Sequence, residues 1–346
     1  MAKRDEPTID IRPPRETSVL FGHAAAEATL LDAYRGGRIP HAWLIGGPPG
    51  IGKATLAYRM ARFVLAHPEP ASSEVQRAKS LAVDPGHTTA KHIAGSSHGG
   101  LHVLERTLNE RGVLRTAIAV DDARKTVAFF GATAAAGGWR VCLVDTVDEL
   151  NANSANALLK VVEEPPPRSL FLLLSNAPAR VLPTIQSRCR KLALRPLETA
   201  DVIHAAAAAA NVPDTDPALR QAAESSEGSV GRALTLLGGS ALGLQDRTVQ
   251  LLKSLPNVDP KALHALGDAL TGNDRATLAT FVDTVERWLI ERLGDGSNAN
   301  LASLARVSEV WEKVLRDARD TQEYNLERKP LVFSVFGMLA EAMRMR

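Results

Sequence analysis

The sequence has few cysteines, few aromatic residues and no long apolar run. Two cysteines, Cys142 and Cys189, among 346 residues exclude a disulfide scaffold and any zinc site built from four cysteines. No apolar stretch approaches the roughly 18 residues of a membrane-spanning helix, and residues 1–16 are polar rather than an apolar signal segment. We therefore expect a protein of the reducing cytoplasm. Aromatic residues make up only 4%, while alanine fills positions 205–210, so the cores are predicted to be aliphatic and largely helical.

The sequence also lacks a charge excess of either sign. Lysine and arginine number 41 against 39 aspartate and glutamate residues, which gives a formal net charge of +2. This balance excludes a basic coat over the whole chain as the means of binding nucleic acid, although it leaves room for a local patch. Arg115, Arg124 and Lys125 lie near a predicted helix and are equally well explained as a solvated face. The sequence therefore favours no particular DNA-binding surface.

At roughly 150 residues per domain, the length predicts two or three domains. Residues 1–17 contain three prolines among charges and are predicted to form an extended arm. From residue 18 to 196, short apolar strands alternate with helices, which predicts an α/β domain with a parallel sheet. The predicted strands are nearly unbroken apolar runs, as expected for strands buried on both faces, and they span residues 41–45, 140–146, 169–175 and 191–194. Residues 68–112 lack this pattern and are predicted to be a surface excursion.

Beyond residue 196 the sequence predicts helices only. Residues 197–240 are predicted to form a small helical lid of three helices, of which the first is capped by Thr199 and ends at Asn211, the second follows Pro217, and the third is capped by Ser229 and ends at Gly238 and Gly239. Residues 241–346 are predicted to form an all-helical domain. Its segment 275–293 places apolar side chains on one helical face, namely Leu278, Phe281, Val282, Val285 and Leu289.

A glycine-rich turn between the first strand and the next helix has the spacing of a phosphate-binding loop. Gly47, Gly50, Gly52 and Lys53 occur in the run GGPPGIGKA, which carries the four-residue gap and the Gly-Lys pair of this motif. Glycine lets backbone N–H groups face an anion, the following helix adds its dipole, and the lysine supplies a positive charge for the outer phosphates. The alternative is a turn that merely joins a strand to a helix. We interpret the run as a loop that binds ATP or ADP.

The predicted nucleotide site departs from that of an active ATPase at two positions. Ala54 stands where the motif has a serine or threonine whose hydroxyl binds Mg²⁺, and the Thr55 hydroxyl is expected about 100° away around the helix. Asp145 ends an apolar strand and is predicted to hold Mg²⁺ through water, unless it only caps the next turn. Thr146 follows it, where an active ATPase has a glutamate that orients the attacking water. We therefore expect weakened Mg²⁺ binding and no intrinsic ATPase activity.

Four more polar residues lie near this site or downstream of it. Asp148 and Glu149 are too far past the strand to replace the missing glutamate without a different backbone path. Asn176 follows the third predicted strand, where its side chain either contacts a γ-phosphate or completes a turn. Arg188 lies at the end of a short predicted helix before the last strand. It is either a solvated surface charge or an arginine finger that neutralises charge on the phosphates of a neighbouring subunit.

Several segments occur together in a recognisable order: GRIPHA at residues 37–42, NSANALLKVVEEPP at 153–166 and Ser187-Arg188-Cys189. In this order they resemble the AAA+ clamp-loader subunits of bacterial DNA polymerase III. The resemblance covers residues 18–240 by motif and the remainder only by helical character. It implies an AAA+ nucleotide-binding domain, a lid and a helical collar that holds a five-membered ring together. The implied partners are the gamma or tau ATPase subunits and the delta subunit, and through them the sliding clamp and primer–template DNA.

The resemblance also implies roles for individual residues. In that family the Ser-Arg-Cys motif reaches the ATP of the adjacent subunit, so Arg188 would act in trans. Arg232 matches the lid arginine that contacts nucleotide bound to its own subunit. Many relatives carry a four-cysteine zinc module after the phosphate-loop helix, whereas both cysteines here lie elsewhere, so no zinc is expected. A less favoured alternative is a metal site among the histidines of the corresponding region, which are His67, His87, His92, His98 and His102.

Three functions remain open on the sequence. The first is a replication subunit that acts as a non-hydrolysing stator and completes a neighbour's ATPase site through Arg188. Such a chain would belong to a nucleotidyltransferase holoenzyme without carrying polymerase activity itself. The second is an active AAA+ ATPase motor subunit, against which Ala54 and Thr146 argue. The third is a nucleic-acid-binding scaffold that no longer binds nucleotide, against which Lys53 and the loop glycines argue weakly.

Overall fold

The structure is a computed structural model that describes residues 11–108, 115, 117–131, 138–238, 240–271, 275–294, 301–323 and 326–344. The chain forms two compact units, of which one spans Asp10–Leu234 and the other contains Thr235–Arg346. Residues 1–10 of the predicted arm, the predicted helix end at Gly239 and residues 109–112 of the predicted excursion lie outside the described residues. The limits of arm, lid and collar stay predictions.

The first unit contains one parallel sheet of five strands in the order β2-β3-β4-β1-β5. The strands are β1 (Ala42–Gly46), β2 (Leu101–Glu105), β3 (Arg140–Asp145), β4 (Ser169–Ser175) and β5 (Arg190–Ala193). Its helices are α1 (Ala24–Arg35), α2 (Lys53–Ala66), α3 (Ser73–Arg77), α4 (Thr88–Ala94), α5 (Val120–Gly131), α6 (Ala152–Glu163), α7 (Pro183–Gln186), α8 (Thr199–Ala210), α9 (Pro217–Glu224) and α10 (Val230–Leu237), the last of which continues past the boundary. Because all strand pairings are parallel, the carboxyl ends of the strands lie along one edge of the sheet.

Two apolar layers cover the two faces of this sheet. Alternate strand residues, such as Ile45, Leu143 and Leu172, pack with α1 and α2 in one layer. The residues between them, such as Leu44 and Phe171, pack with α5 and α6 in the other layer. Burial of both faces explains why the strands are continuous apolar runs rather than alternating ones. The predicted α/β class with a parallel sheet is confirmed.

The structure corrects two local predictions. The predicted surface excursion contributes β2, which pairs in parallel with β3, so residues 101–105 belong to the sheet. This strand lies at the sheet edge and is only partly buried, and its apolar signal is therefore weak. The cap at Thr199 is also wrong, because α8 begins at that residue and Glu198 precedes it without a side-chain cap. The cap at Ser229 is confirmed, since its Oγ accepts from the Arg232 N–H at 3.3 Å.

The described residues of the second unit beyond α10 are predominantly helical. The helices are α11 (Ser240–Lys253), α12 (Pro260–Ala269), α13 (Arg275–Gly294), α14 (Leu301–Glu323) and α15 (Arg328–Arg344). Four of the five residues predicted to share a face of α13 are buried in its core, and Val282 packs against that core while partly exposed. The predicted helical C-terminal region is thus confirmed. Among the described residues, none of the helices combines the length and apolar character needed to span a bilayer.

Candidate functional site

The predicted phosphate loop connects β1 to α2 and takes a conformation that requires glycine. Gly50 has a φ of +74° and Gly52 a φ of +100°, which side chains rarely allow. A Cβ at position 50 would also lie 2.3 Å from Ser229 Oγ. Since α2 begins at Lys53, the loop ends at a helix N-terminus, where unpaired N–H groups and the helix dipole favour an anion. The local geometry therefore matches a phosphate-binding loop.

The side chain of Lys53 hydrogen-bonds to the phosphate loop itself. This side chain is buried, and Nζ donates to the carbonyl oxygens of Gly47 at 2.7 Å and of Pro48 at 2.6 Å. Burial lowers the pKa of Lys53 to about 8, although the nearby Asp145 and Asp148 carboxylates oppose this shift. The ammonium group is thus poorly solvated, and an anionic ligand would stabilise its charged form.

A cavity of about 390 Å³ opens beside this loop. Gly50, Gly52, Lys53, Asp145 and Asn176 line its polar end. Most of the remaining wall is apolar, although Arg12, Thr17, Thr55 and Thr146 also contribute to it. The apolar residues come from several elements and include Val19, Leu20, Ile51, Leu197, Ala205, Ala208, Ala209, Val230 and Leu234. A volume in the range of about 300–1,000 Å³, with an apolar wall and a few polar groups, is typical of small-molecule sites. The residues present therefore fit a nucleotide.

Helix α10, which lies in the predicted lid, is hydrogen-bonded to the phosphate loop. Ser229 Oγ donates to the Pro49 carbonyl at 2.9 Å, and the Gly231 N–H donates to the Gly50 carbonyl at 3.0 Å. Arg232 follows Gly231, and its Nη1 lies 3.5 Å from Glu227 Oε1. Arg232 is not among the residues that line the cavity, so its predicted contact with nucleotide stays a prediction.

The carboxyl end of β3 supplies Asp145 and Thr146. Burial raises the pKa of Asp145, and the neighbouring Glu105 carboxylate raises it further, while Lys53 and Arg106 oppose the shift. Thr146 also lines the cavity, and its hydroxyl is buried without a hydrogen-bond partner among the described residues. Thr55 lies in the cavity wall with Ala54, although the sequence predicts that its hydroxyl points away from the phosphates.

Two acidic residues at this sheet edge were missed as contributors to the site. Glu105 ends β2 and pairs in register with Asp145, and it was overlooked because β2 itself was not predicted. Asp148 accepts hydrogen bonds from Ser175 Oγ at 2.8 Å and from the Asn176 N–H at 2.6 Å. Asp148 thus fixes the loop after β4 that presents Asn176. The position of Asp148 in the sequence, three residues after Asp145, does not indicate this role.

The N-terminal arm forms part of the cavity wall and is held by two buried arginines of α2. Arg62 Nη2 donates to the Thr17 carbonyl at 2.6 Å and to the Pro14 carbonyl at 3.2 Å, and burial lowers its pKa to about 10. Arg59 bonds the Ser18 carbonyl and forms an ion pair with Glu27 at 2.7 Å. Sequence reasoning did not find these arginines, because their partners lie more than 30 residues away along the chain.

Arg188 lies away from this cavity, at the opposite edge of the sheet. β5 begins at Arg190, which pairs with Trp43 near the start of β1, whereas the phosphate loop follows the end of β1. At about 3.3 Å per strand residue, the four residues from Trp43 to Gly47 span roughly 13 Å. The Arg188 guanidinium is about one-third exposed, lies 2.6 Å from Glu163 Oε1 and donates to the Thr184 carbonyl at 2.9 Å. The structure therefore does not bring Arg188 together with Lys53 and Asp145.

The described residues contain no group of three or more histidine, cysteine or acidic side chains placed to hold a metal ion. Four of the five histidines named as an alternative metal site form two pairs: the rings of His67 and His87 lie 6.4 Å apart and those of His92 and His98 lie 6.3 Å apart. His67 Nδ1 lies 3.4 Å from Glu74 Oε2, and His87 caps α4 through the Thr89 N–H. These histidines thus have structural contacts, and the expectation of no zinc stays a prediction.

Comparison with known structures finds similar chains at low identity. A DNA polymerase III gamma subunit-related protein of Thermotoga maritima is 16% identical with a TM-score of 0.41, covering 90% of this chain and 99% of that chain. A RuvB variant of Thermotoga maritima is 18% identical with a TM-score of 0.44, covering 93% and 91%.

Comparison with curated sequences gives more specific matches. The DNA polymerase III subunit delta' of Pseudomonas aeruginosa is 38% identical over 156 residues, which is 44% of this chain and 43% of that protein. The delta' subunit of Escherichia coli is 31% identical over 275 residues, or 73% and 77%. The gamma/tau subunit of Mycobacterium tuberculosis (strain H37Rv) is 32% identical over 181 residues, or 51% and 28%. The chain thus spans less than half of the Pseudomonas and Mycobacterium relatives.

A comparison with models of whole protein families also gives a match. The family described as "DNA polymerase III, delta subunit" matches residues 22–198, which contain the phosphate loop, Asp145 and Arg188. This range covers more than half of the chain and agrees with the extended match to the E. coli subunit. The sequence resemblance to AAA+ clamp-loader subunits is confirmed at this level, and the chain belongs to the DNA polymerase III delta-prime subunit family.

Proposed function

We propose that the chain is a clamp-loader subunit of the DNA polymerase III holoenzyme that acts in DNA replication in the cytoplasm. In this proposal it is a stator: it does not hydrolyse ATP but supplies Arg188 to the ATPase site of a neighbouring subunit during loading of the sliding clamp. Its partners are the gamma or tau subunits and the delta subunit. Contact with the clamp and with primer–template DNA is made through the assembled complex.

The observation that carries this proposal is the placement of Arg188 at the sheet edge opposite the phosphate loop. An arginine finger must reach the transferred phosphoryl group, because it acts by neutralising charge that develops there. Arg188 precedes the amino end of β5, whereas Lys53, Asp145 and Asn176 lie at carboxyl ends. The partly exposed Arg188 is thus badly placed for nucleotide bound to its own chain and available to nucleotide on another chain.

The chain's own site supports nucleotide binding better than turnover. The proposed ligand is ATP or ADP, whose phosphates would contact the loop glycines and Lys53 and whose base would contact the apolar wall. Ala54 offers no hydroxyl to Mg²⁺, and Thr146 has no carboxylate with which to orient water. We infer weakened Mg²⁺ coordination by Asp145 alone and no intrinsic hydrolysis.

The test is the ATPase activity of the complex assembled from all clamp-loader subunits of the same organism. Arg188→Ala should lower clamp- and DNA-stimulated ATPase by at least about fivefold, because the neighbour's site loses its arginine. Size-exclusion chromatography should show intact assembly. The control is Arg220→Ala, which removes an exposed arginine on α9 and should leave the rate unchanged. An unchanged rate in the Arg188→Ala complex would refute the finger in trans.

A second candidate function, an active ATPase motor subunit, is favoured by the retained Lys53 and its loop glycines. It predicts ATP hydrolysis by the purified chain alone that disappears in Lys53→Ala. We expect no such turnover, because both the Mg²⁺-binding hydroxyl and the water-orienting carboxylate are missing. Turnover that depends on Lys53 would replace the stator proposal with this one.

A further inference from the structure

Arg188 is held by two different elements of its own chain. Its Nη2 lies 2.6 Å from Glu163 Oε1, at the last residue of α6, and its Nη1 donates to the Thr184 carbonyl on α7 at 2.9 Å. Nη1 also lies 3.4 Å from Ser187 Oγ. A guanidinium group is planar and has five N–H donors. These contacts use three of the five, so two N–H groups are left for an anion while the plane is already fixed.

Glu163 is in an unfavourable place for its own helix. The C-terminus of a helix carries partial negative charge, so a carboxylate in the last turn is destabilising unless a cation compensates it. Arg188 provides that compensation across a gap of 25 residues in the chain. The adjacent Glu164 is also an exposed glutamate, but it occupies the C-cap position of the helix, whereas the ion pair with Arg188 is made by Glu163. The pair is therefore specific to one of two neighbouring glutamates.

We propose that Glu163 is a positioning residue for Arg188, holding the guanidinium plane in the orientation in which it meets the phosphates of nucleotide bound to the adjacent subunit. This inference rests on the proposed function. A flexible arginine would have to be ordered in each encounter with the neighbouring site, which weakens its contribution. A carboxylate and a phosphate can share one guanidinium, because its donors lie along different edges of the same plane.

The test uses the assembled complex with Glu163→Ala, Glu163→Gln and the matched control Glu164→Ala. We expect Glu163→Ala to lower the kcat of stimulated ATPase by about twofold, the scale of a partly exposed ion pair, with little change in KM for ATP. KM should hold because the neighbour's own loop binds the ATP. Glu163→Gln keeps an acceptor oxygen and should fall between Glu163→Ala and the wild type. Glu164→Ala should behave as the wild type.

The same substitution in an Arg188→Ala background separates positioning from a general structural effect. If Glu163 acts through Arg188, Glu163→Ala causes no further loss once the arginine is absent. An equal loss in both backgrounds overturns the inference, as does a Glu163→Ala complex that matches the wild type while Arg188→Ala is impaired. A faster Glu163→Ala complex also overturns it, because Glu163 would then restrain the arginine. If Arg188→Ala itself has no effect, the proposed function fails instead.

Discussion

The buried Lys53 makes nucleotide binding dependent on pH in a direction that can be worked out. Its pKa is lowered to about 8 by burial, so the ammonium group of the free protein is mostly protonated at pH 7.5 and mostly neutral at pH 9. Bound phosphate favours the charged form and raises the pKa in the complex. Binding at pH 9 must therefore take up nearly one proton, which costs affinity, whereas binding at pH 7.5 takes up only about a quarter of a proton.

The magnitude follows from that pKa. For one group with a free pKa of about 8 that is fully charged in the complex, affinity falls by about eightfold between pH 7.5 and pH 9. Isothermal titration calorimetry with ADP at both pH values measures this ratio directly. Repeating the titration in buffers of different ionisation enthalpy counts the protons taken up, which should rise from about one quarter of a proton at pH 7.5 to about nine-tenths at pH 9. Lys53→Arg stays charged at both pH values, so its affinity should change little.

Two results would refute this reasoning. A wild-type affinity that is equal at pH 7.5 and pH 9, without proton uptake, would mean that Lys53 does not supply charge to the phosphates. An absence of binding at every pH, in both the presence and absence of Mg²⁺, would remove the nucleotide site altogether. That second outcome would favour a scaffold without nucleotide, while leaving the role of Arg188 in a neighbouring site intact.

Two further predictions concern the elements that support the cavity. Glu27→Ala leaves Arg59 buried without its partner carboxylate, so we expect a loss of about 3–5 kcal/mol in the free energy of unfolding measured by urea denaturation. The double variant Glu27→Leu with Arg59→Met should recover most of that loss. A loss below about 1 kcal/mol in Glu27→Ala alone would contradict this prediction. Gly50→Ala forces a side chain into positive φ and against Ser229 Oγ, so it should cost about 1–2 kcal/mol, and less in a Ser229→Gly background. Equal losses of stability in both backgrounds would mean that Ser229 moves aside without a cost in free energy, so that only the positive φ destabilises the variant.

The sequence was sufficient to predict those elements whose physical signal is local. The strand at 169–175 is buried along its whole length and was predicted at its observed limits. The phosphate loop was found because glycine at fixed positions reflects a backbone requirement. By contrast, β2 is an edge strand with partial burial, and its five residues lie among glycines and histidines that indicate loops. Its terminal Glu105 was missed with it.

The parts of the site that escaped prediction depend on contacts between distant segments. The alanine run at 205–210 was interpreted as core, yet Ala205, Ala208 and Ala209 line the cavity, because small side chains on α8 leave room beside the loop. Arg62 lies on the helix after the phosphate loop and bonds Thr17, which is 45 residues earlier. Neither arrangement has a spacing that a motif can express. Both follow from which surfaces the sheet and its helices bring together.

The direction of the strands separates the two predicted activities of the chain. In a parallel sheet every loop that follows a strand is at one edge, and every segment that enters a strand is at the other. Lys53, Asp145 and Asn176 follow strands, whereas Glu163 and Arg188 precede them. The missing hydroxyl at Ala54 and the missing carboxylate at Thr146 are therefore expected to weaken the chain's own nucleotide site without disturbing the sheet edge that carries Arg188. The proposed stator could therefore lack hydrolysis and still complete a neighbour's site, because the two proposed functions use the same sheet but no common side chain.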